Sequence, residues 1–262
     1  MISARALTKN FGGLTAVDGL DLEIAQGEFF AFLGPNAAGK TTTIKMLAGL
    51  LRPTGGEVKI GGFDMQRDPE KAKALLAYVP DFPFLYDKLT AHEFMRFVGE
   101  VFRVERKLIR ERTEELFDIF HLDEYGGELI ENLSHGTRQR VVIASALLHD
   151  PKVLVIDEPM VGLDPTHARI VKQEFKRRAQ AGMTIFLSTH QLSVAEEMAD
   201  RIGIIHRGRL IALGTVDDLR RQTAESGALE KVFLTLIDAE ESLRERARAL
   251  GLEAAPSKIL HG

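Results

Sequence analysis

The 262-residue chain contains no cysteine. That absence removes disulfides, thiolate nucleophiles and cysteine-ligated metals from the available chemistry, and it is compatible with a reducing compartment. Long apolar runs are also missing. A stretch such as Val141 to Leu148 is among the longest, and a bilayer-spanning helix needs roughly 20 residues. Met1 to Asn10 carries no apolar signal core, so no secretory leader is expected. A large excess of either charge is also missing: the formal balance of -4 gives no reason to expect non-specific attraction to nucleic acid, and no nucleic-acid partner is expected. There is no internal repeat, low-complexity tract or sustained heptad pattern. What remains is ordinary globular material, 45% hydrophobic and 27% charged, in a length that allows one large domain or two small ones. The chain is expected to be soluble.

Gly34-Pro35-Asn36-Ala37-Ala38-Gly39-Lys40-Thr41-Thr42 lies between the apolar segment Glu28 to Leu33 and a helical pattern over Thr42 to Leu50. A Gly-flanked turn in that setting points successive backbone N–H groups inward, while the following helix aims its positive end at the same place. Phosphate oxygens fit such a nest. Lys40 is placed to reach the β and γ phosphates as a point charge, and the Thr41 hydroxyl to ligate the Mg²⁺ that accompanies a nucleoside triphosphate. Triphosphate binding is the expectation.

Leu20 to Ala25 alternates apolar and acidic residues, as a half-exposed strand does, whereas Phe29 to Leu33 is continuously apolar and suits a buried one. Further strand-like runs are Glu57 to Ile60, Leu76 to Val79, Val153 to Ile156, Thr184 to Leu187, Ile202 to His206 and Arg209 to Leu213. Helical patterns separate several of them, which argues for a largely parallel sheet covered on both faces, with ligand at the carboxyl ends of the strands. From about Thr90 to Leu148 the pattern is helical: Ala91 to Phe102, Lys107 to Phe120 and Thr137 to Leu148. The expected class is α/β: a P-loop NTPase core with a mostly parallel sheet flanked by helices, an antiparallel β region and an inserted helical subdomain. Past Gly214 come a short helix over Val216 to Arg221, a polar linker over 222–227, an apolar patch from Leu229 to Ile237, and a charged end in which Glu240 to Leu250 is either an amphipathic helix or a frayed terminus.

Val153-Leu154-Val155-Ile156-Asp157-Glu158 sets two carboxylates at the tip of a buried strand. Facing the phosphate loop, Asp157 would hold the Mg²⁺ shell and Glu158 would orient or deprotonate the attacking water. The plainer alternative is a surface turn beginning with two acids. With loop and strand together, the sequence resembles the ATP-binding subunit of ABC transporters over roughly Ile2 to Leu236. Leu133-Ser134-His135-Gly136-Thr137-Arg138-Gln139-Arg140 resembles the family signature usually written Leu-Ser-Gly-Gly-Gln. The resemblance implies that Ser134, His135 and Gly136 meet the γ phosphate bound by another subunit, so that ATP is clamped between two head-to-tail copies. Taken alone, the same residues are a helix N-cap. Val161-Gly162-Leu163-Asp164-Pro165 resembles the loop that couples the two sites through Asp164, and it is also a Gly/Pro turn capping a helix. His190 resembles the switch histidine that contacts the γ phosphate and positions water and Glu158. Phe11 resembles the aromatic that stacks on adenine, with Val17 beside it; the competing reading is a Phe packed in the core.

Two positions depart from the family pattern. Ala37 stands where Gly is usual, and a Cβ there is costly if φ is positive, so weakened nucleotide affinity follows unless the loop closes without a left-handed residue. Asp81 stands where a Gln usually ligates Mg²⁺; an Asp is shorter, and reaches through one water. Phe82, Phe84, Leu85 and Tyr86 follow it, either as core or as the groove that receives a short helix from a membrane subunit. The resemblance implies an ATPase domain over 1–222, with an α/β core at 1–83 and 149–222 and a helical subdomain at 84–148, plus an extension at 223–262. It further implies ATP and Mg²⁺ as cofactors, a second copy or a homologous ATPase as partner, and separate transmembrane permease subunits. Location on the inner face of the membrane and, from the exporter-like form of positions 81, 135, 138 and 228–233, export complete the expectation. The alternatives are a soluble ATPase acting on DNA or ribosomes and a nucleotide-responsive module that does not hydrolyse.

Overall fold

The computed structural model describes residues 1–223 and 229–249, the last three by backbone alone. The chain begins with β1 (Ile2–Phe11), β2 (Leu14–Ile24) and β3 (Phe29–Leu33), followed by α1 (Lys40–Leu47), β4 (Gly55–Ile60), β5 (Phe63–Asp64), α2 (Pro69–Ala74) and β6 (Leu76–Val79). Three helices come next: α3 (Ala91–Val101), α4 (Arg106–Phe120) and α5 (His135–Leu147). The second half runs β7 (Val153–Asp157), α6 (Pro165–Gln180), β8 (Thr184–Thr189), α7 (Leu192–Met198), β9 (Arg201–His206), β10 (Arg209–Gly214), α8 (Val216–Thr223) and α9 (Leu229–Ala249).

One six-stranded sheet has the order β10-β9-β3-β8-β7-β6, parallel except for the β9–β10 hairpin at its edge. Every residue of β3 and β7 is buried, as expected of strands covered on both faces. The second sheet, β2-β1-β4-β5, is wholly antiparallel. Between the two sheets lies a core in which Phe30, Phe32 and Phe186 meet with ring centroids 5.3–6.5 Å apart, joined by Ile2, Leu7 and Leu22 from the antiparallel side. Burial of one such side chain stabilises by about 1.5–3 kcal/mol. A second core ties α3, α4 and α5 to β6 and β7 through Phe94, Leu116, Phe117, Phe120 and Val141. The α/β class, the antiparallel region and the helical insertion are all present.

Two expectations are corrected. β1 is a full ten-residue strand where the sequence pattern predicts none; register shifts between Ala4 and Asn10 break its alternation. The apolar patch from Leu229 and the charged stretch after Glu240 form one helix, α9, not two pieces, because Leu229, Val232 and Leu236 bury one face against Ala31, Leu33 and Leu219. The linker expected over 222–227 begins as the end of α8, and its residues 224–227, like the punctuated end 250–262, lie outside the described residues.

Candidate functional site

Four parallel strands deliver side chains to one cavity of about 500 Å³ at their carboxyl ends, where an open α/β sheet binds ligands. β3 leads into the phosphate loop, β6 into Asp81, β7 into Asp157 and Glu158, and β8 into His190. The loop is tightly built. A Cβ on Gly34 would stand 2.4 Å from the Ile205 carbonyl oxygen, and one on Gly39 2.6 Å from that of Ala16. Ala37 has φ 62°, so the left-handed conformation that the departure from Gly put in question is adopted. Asn36, Ala37, Ala38, Gly39, Lys40, Thr41 and Thr42 all line the cavity, and the first-turn N–H groups of α1 have no partner within the helix. Gly34 and Pro35 lie behind it: their carbonyls accept from Lys40 Nζ at 2.6 and 3.0 Å. Burial lowers the Lys40 pKa, against the opposing pull of Glu158 and Asp157.

Asp157 is buried, and its Oδ2 accepts from the Thr41 hydroxyl at 3.2 Å. Desolvation raises its pKa, Thr41 opposes that shift, and the charges of Asp81 and Glu158 add to it. Glu158 has φ 48°, an uncommon conformation for a non-glycine residue. It is pinned by its own N–H donating to Ser188 O at 3.0 Å and by its carboxylate. Oε1 accepts from the His190 N–H at 2.8 Å and from His190 Nδ1 at 2.7 Å, and Oε2 from the Thr189 hydroxyl at 3.1 Å. Both oxygens are therefore aimed. Asp81 is exposed on the cavity edge, its Oδ1 accepting from Phe82 N–H at 2.9 Å.

Phe11 is 48% exposed on the cavity wall, so it is not a core residue, and Lys9 Nζ stands 5.1 Å from its ring centroid. The Gly12-Gly13 turn pairs Phe11 with Leu14, and Leu14 and Ala16 complete that wall. Neither was anticipated; an apolar residue at an exposed hairpin tip was the available signal for Leu14. Val17 is corrected: it is fully buried in the core behind Ala16 and presents no side-chain surface to the cavity.

Ser134, His135, Gly136 and Asp164 do not line the cavity. Ser134 caps α5, its Oγ accepting from Thr137 N–H at 3.2 Å, so the capping reading holds. The His135 ring lies 6.1 Å from that of Phe82 and so close to Gly162 that a Cβ there would stand 2.2 Å from it. Asp164 caps α6 and pairs with His167, which, together with the backbone N–H groups of His167 and Thr166, holds its carboxyl down at about 2. Phe82, Phe84 and Tyr86 are exposed by 58–78%, which decides against core for these three, while Leu85 packs inward. Phe84, Phe94, Val98 and Phe102 line an adjoining groove of about 370 Å³. Among the described residues no helix is long and apolar enough to cross a membrane.

The residues 17–161 match the model of the family described as "ABC transporter". The chain is 37% identical over 252 residues to the daunorubicin/doxorubicin resistance ATP-binding protein of Streptomyces peucetius, covering 96% of this chain and 75% of that one. It is 37% identical to the linearmycin resistance ATP-binding protein of Bacillus subtilis, covering 84% and 70%. A probable multidrug ABC transporter ATP-binding protein of Escherichia coli is 36% identical over 90% of this chain, and the chain spans only 42% of that relative's length. Among solved structures, an ATP-binding subunit of an ABC transporter superposes with a TM-score of 0.87 at 32% identity, covering 90% of this chain and 99% of the other. A dimeric ATP-binding cassette in a post-hydrolysis state with ADP and Pi superposes with a TM-score of 0.76 at 27% identity, covering 82% and 98%.

Proposed function

The chain belongs to the ABC transporter family, and from that membership we propose that it is the motor subunit of an exporter: two copies close head to tail around two ATP molecules and reopen after hydrolysis. The observation that carries this reading is the division of the binding features. The phosphate loop, Asp81, Asp157, Glu158 and His190 share one cavity, while Ser134 to Gly136 stand at an exposed helix start outside it. A helix start that stands exposed and apart from the cavity of its own chain is the half-site that a second copy would use.

The cavity fits its ligands. Lys40 lies among loop carbonyls that a phosphate chain would displace, and Phe11 offers an exposed aromatic face for a base. The hydroxyl of Thr41 and the carboxylate of Asp157, with Asp81 at the edge, are the hard oxygen donors that suit Mg²⁺. That ion, when bound with nucleotide, neutralises charge across the β and γ phosphates. Glu158 takes the proton of the attacking water, and Thr189 and His190 hold its carboxylate in line. His190, itself exposed, is placed to meet the γ phosphate and to register its loss.

The exposed aromatics after β6 and the adjoining groove are the proposed seat for a short helix of a separate permease, which would hold the chain at the inner face of the membrane. Residues 1–222 are the proposed ATPase domain, with the helical subdomain at 84–148 and an extension at 223–262. Export rests on the drug-resistance relatives. Isothermal titration with Mg·ATP tests the reading: the unaltered chain binds, and Lys40→Ala binds at least about tenfold more weakly, the loss of one charge-assisted contact. Absence of heat with the unaltered, folded chain contradicts it.

A further inference from the structure

The two-residue turn between β9 and β10 is Arg207-Gly208, with φ values of 48° and 82°. A turn with both φ positive matches the twist of a hairpin but favours glycine or asparagine at its first position. Arginine stands there, so the turn is strained by itself. Its neighbours make that strain consequential. Gly208 N–H donates to the Ala38 carbonyl of the phosphate loop at 2.8 Å, and the Gly208 carbonyl accepts from Asp18 N–H at 2.9 Å. A Cβ on Gly208 would stand 2.8 Å from the Ala16 carbonyl oxygen, so the turn is wedged without slack between the loop and the cavity wall.

The opposite side of the turn meets α9. Arg207 Nη2 donates to Glu241 Oε1 at 2.9 Å, and the same oxygen lies 3.6 Å from Nε2 of the buried His206. Glu240, one residue earlier, is buried and held by Arg244 at 2.7 Å. The helix itself is anchored by Leu229, Val232 and Leu236 against Ala31 and Leu33 of β3, the strand that feeds the loop. As an ion pair, Arg207–Glu241 is about half exposed, and such pairs stabilise little. Its relevance is geometric: it ties α9 to a turn whose first residue lies in the left-handed region, and the carbonyl of Ala38 is one hydrogen bond away.

We propose that Glu241 is a positioning residue for nucleotide binding. By pairing with Arg207 it keeps the 207–208 turn seated against the phosphate loop, so that docking of α9 and occupancy of the cavity are coupled. Linkage makes the coupling reciprocal: nucleotide in the cavity tightens the helix on the turn. The inference rests on the cavity being the ATP site.

Three chains of residues 1–262, the unaltered one and two variants, test it by Mg·ATP titration and by steady-state hydrolysis, with circular dichroism checking the fold of each. Glu241→Ala, which removes the acceptor, raises the Kd and the KM for ATP by about three- to tenfold and leaves kcat unchanged. Adding Arg207→Gly to Glu241→Ala restores both constants to within about twofold of the unaltered chain, because glycine adopts positive φ without help. A Glu241→Ala chain that binds ATP as the unaltered one does overturns the proposal. So does a double variant as weak as the single one, since α9 would then act by another route. Absence of binding by the unaltered chain removes the nucleotide reading itself, and this inference with it.

Discussion

The methyl group of Ala37 sits on a backbone with φ 62°, where an L-residue pays about 1–2 kcal/mol that glycine does not. On this account the loop without nucleotide escapes part of that cost by leaving the left-handed conformation, and the phosphate chain restores it. Ala37→Gly is therefore expected to tighten ATP binding by up to about tenfold in a titration, and unchanged or weaker affinity would reject the account. The substitution itself was legible in the sequence. The sign of φ was not, because it is set by how the loop closes between Gly34 and Gly39, both hemmed in by backbone carbonyls. Glu158 and His190 were placed by motif, yet their mutual bond of 2.7 Å and the positive φ of Glu158 came only with the fold. Val17 shows the reverse: the motif put it beside the base, and packing put it behind Ala16.

Strands with continuous apolar residues, β3, β6 and β7, were found to within a residue or so, because burial on both faces leaves an unambiguous pattern. β1 escaped since its polar Thr8-Lys9-Asn10 stretch and shifted register hide the period of two. α9 was split because its apolar anchors lie at its start and its charges at its end. Just beyond α5 the His149 ring stacks on Phe102 with centroids 3.7 Å apart, its Nε2 3.3 Å from the Leu76 carbonyl. Burial pushes its pKa down to about 4, below the ordinary value of 6.5, so the unfolded chain binds this proton more readily than the folded one. Its contribution to stability is complete above about pH 6.5 and is lost as pH falls toward about 4. Thermal unfolding followed between those limits should show a steeper loss for the unaltered chain than for His149→Gln, in which every other titrating group is shared. Parallel curves would refute the assignment.

Across the protein, the sheet brings four separately encoded segments to one end, and that convergence was readable because the motifs occur in strand-loop settings along the chain. The relation between the cavity and the signature residues came from the family resemblance alone, since no periodicity or spacing within one chain states that a second copy completes the pocket. Ser134 and Asp164 already serve as helix caps, and a structural duty of this kind masks any further one in a single chain. Glu158→Gln separates binding from hydrolysis: it keeps an acceptor of similar shape but cannot take the proton from water, so hydrolysis falls by about 10²–10⁴ while nucleotide stays. Analytical ultracentrifugation of this variant with Mg²⁺ reads the outcome directly. The account predicts a monomer without nucleotide or with ADP and a dimer with ATP; a monomer under all three conditions, with ATP binding verified in the same sample, would contradict it.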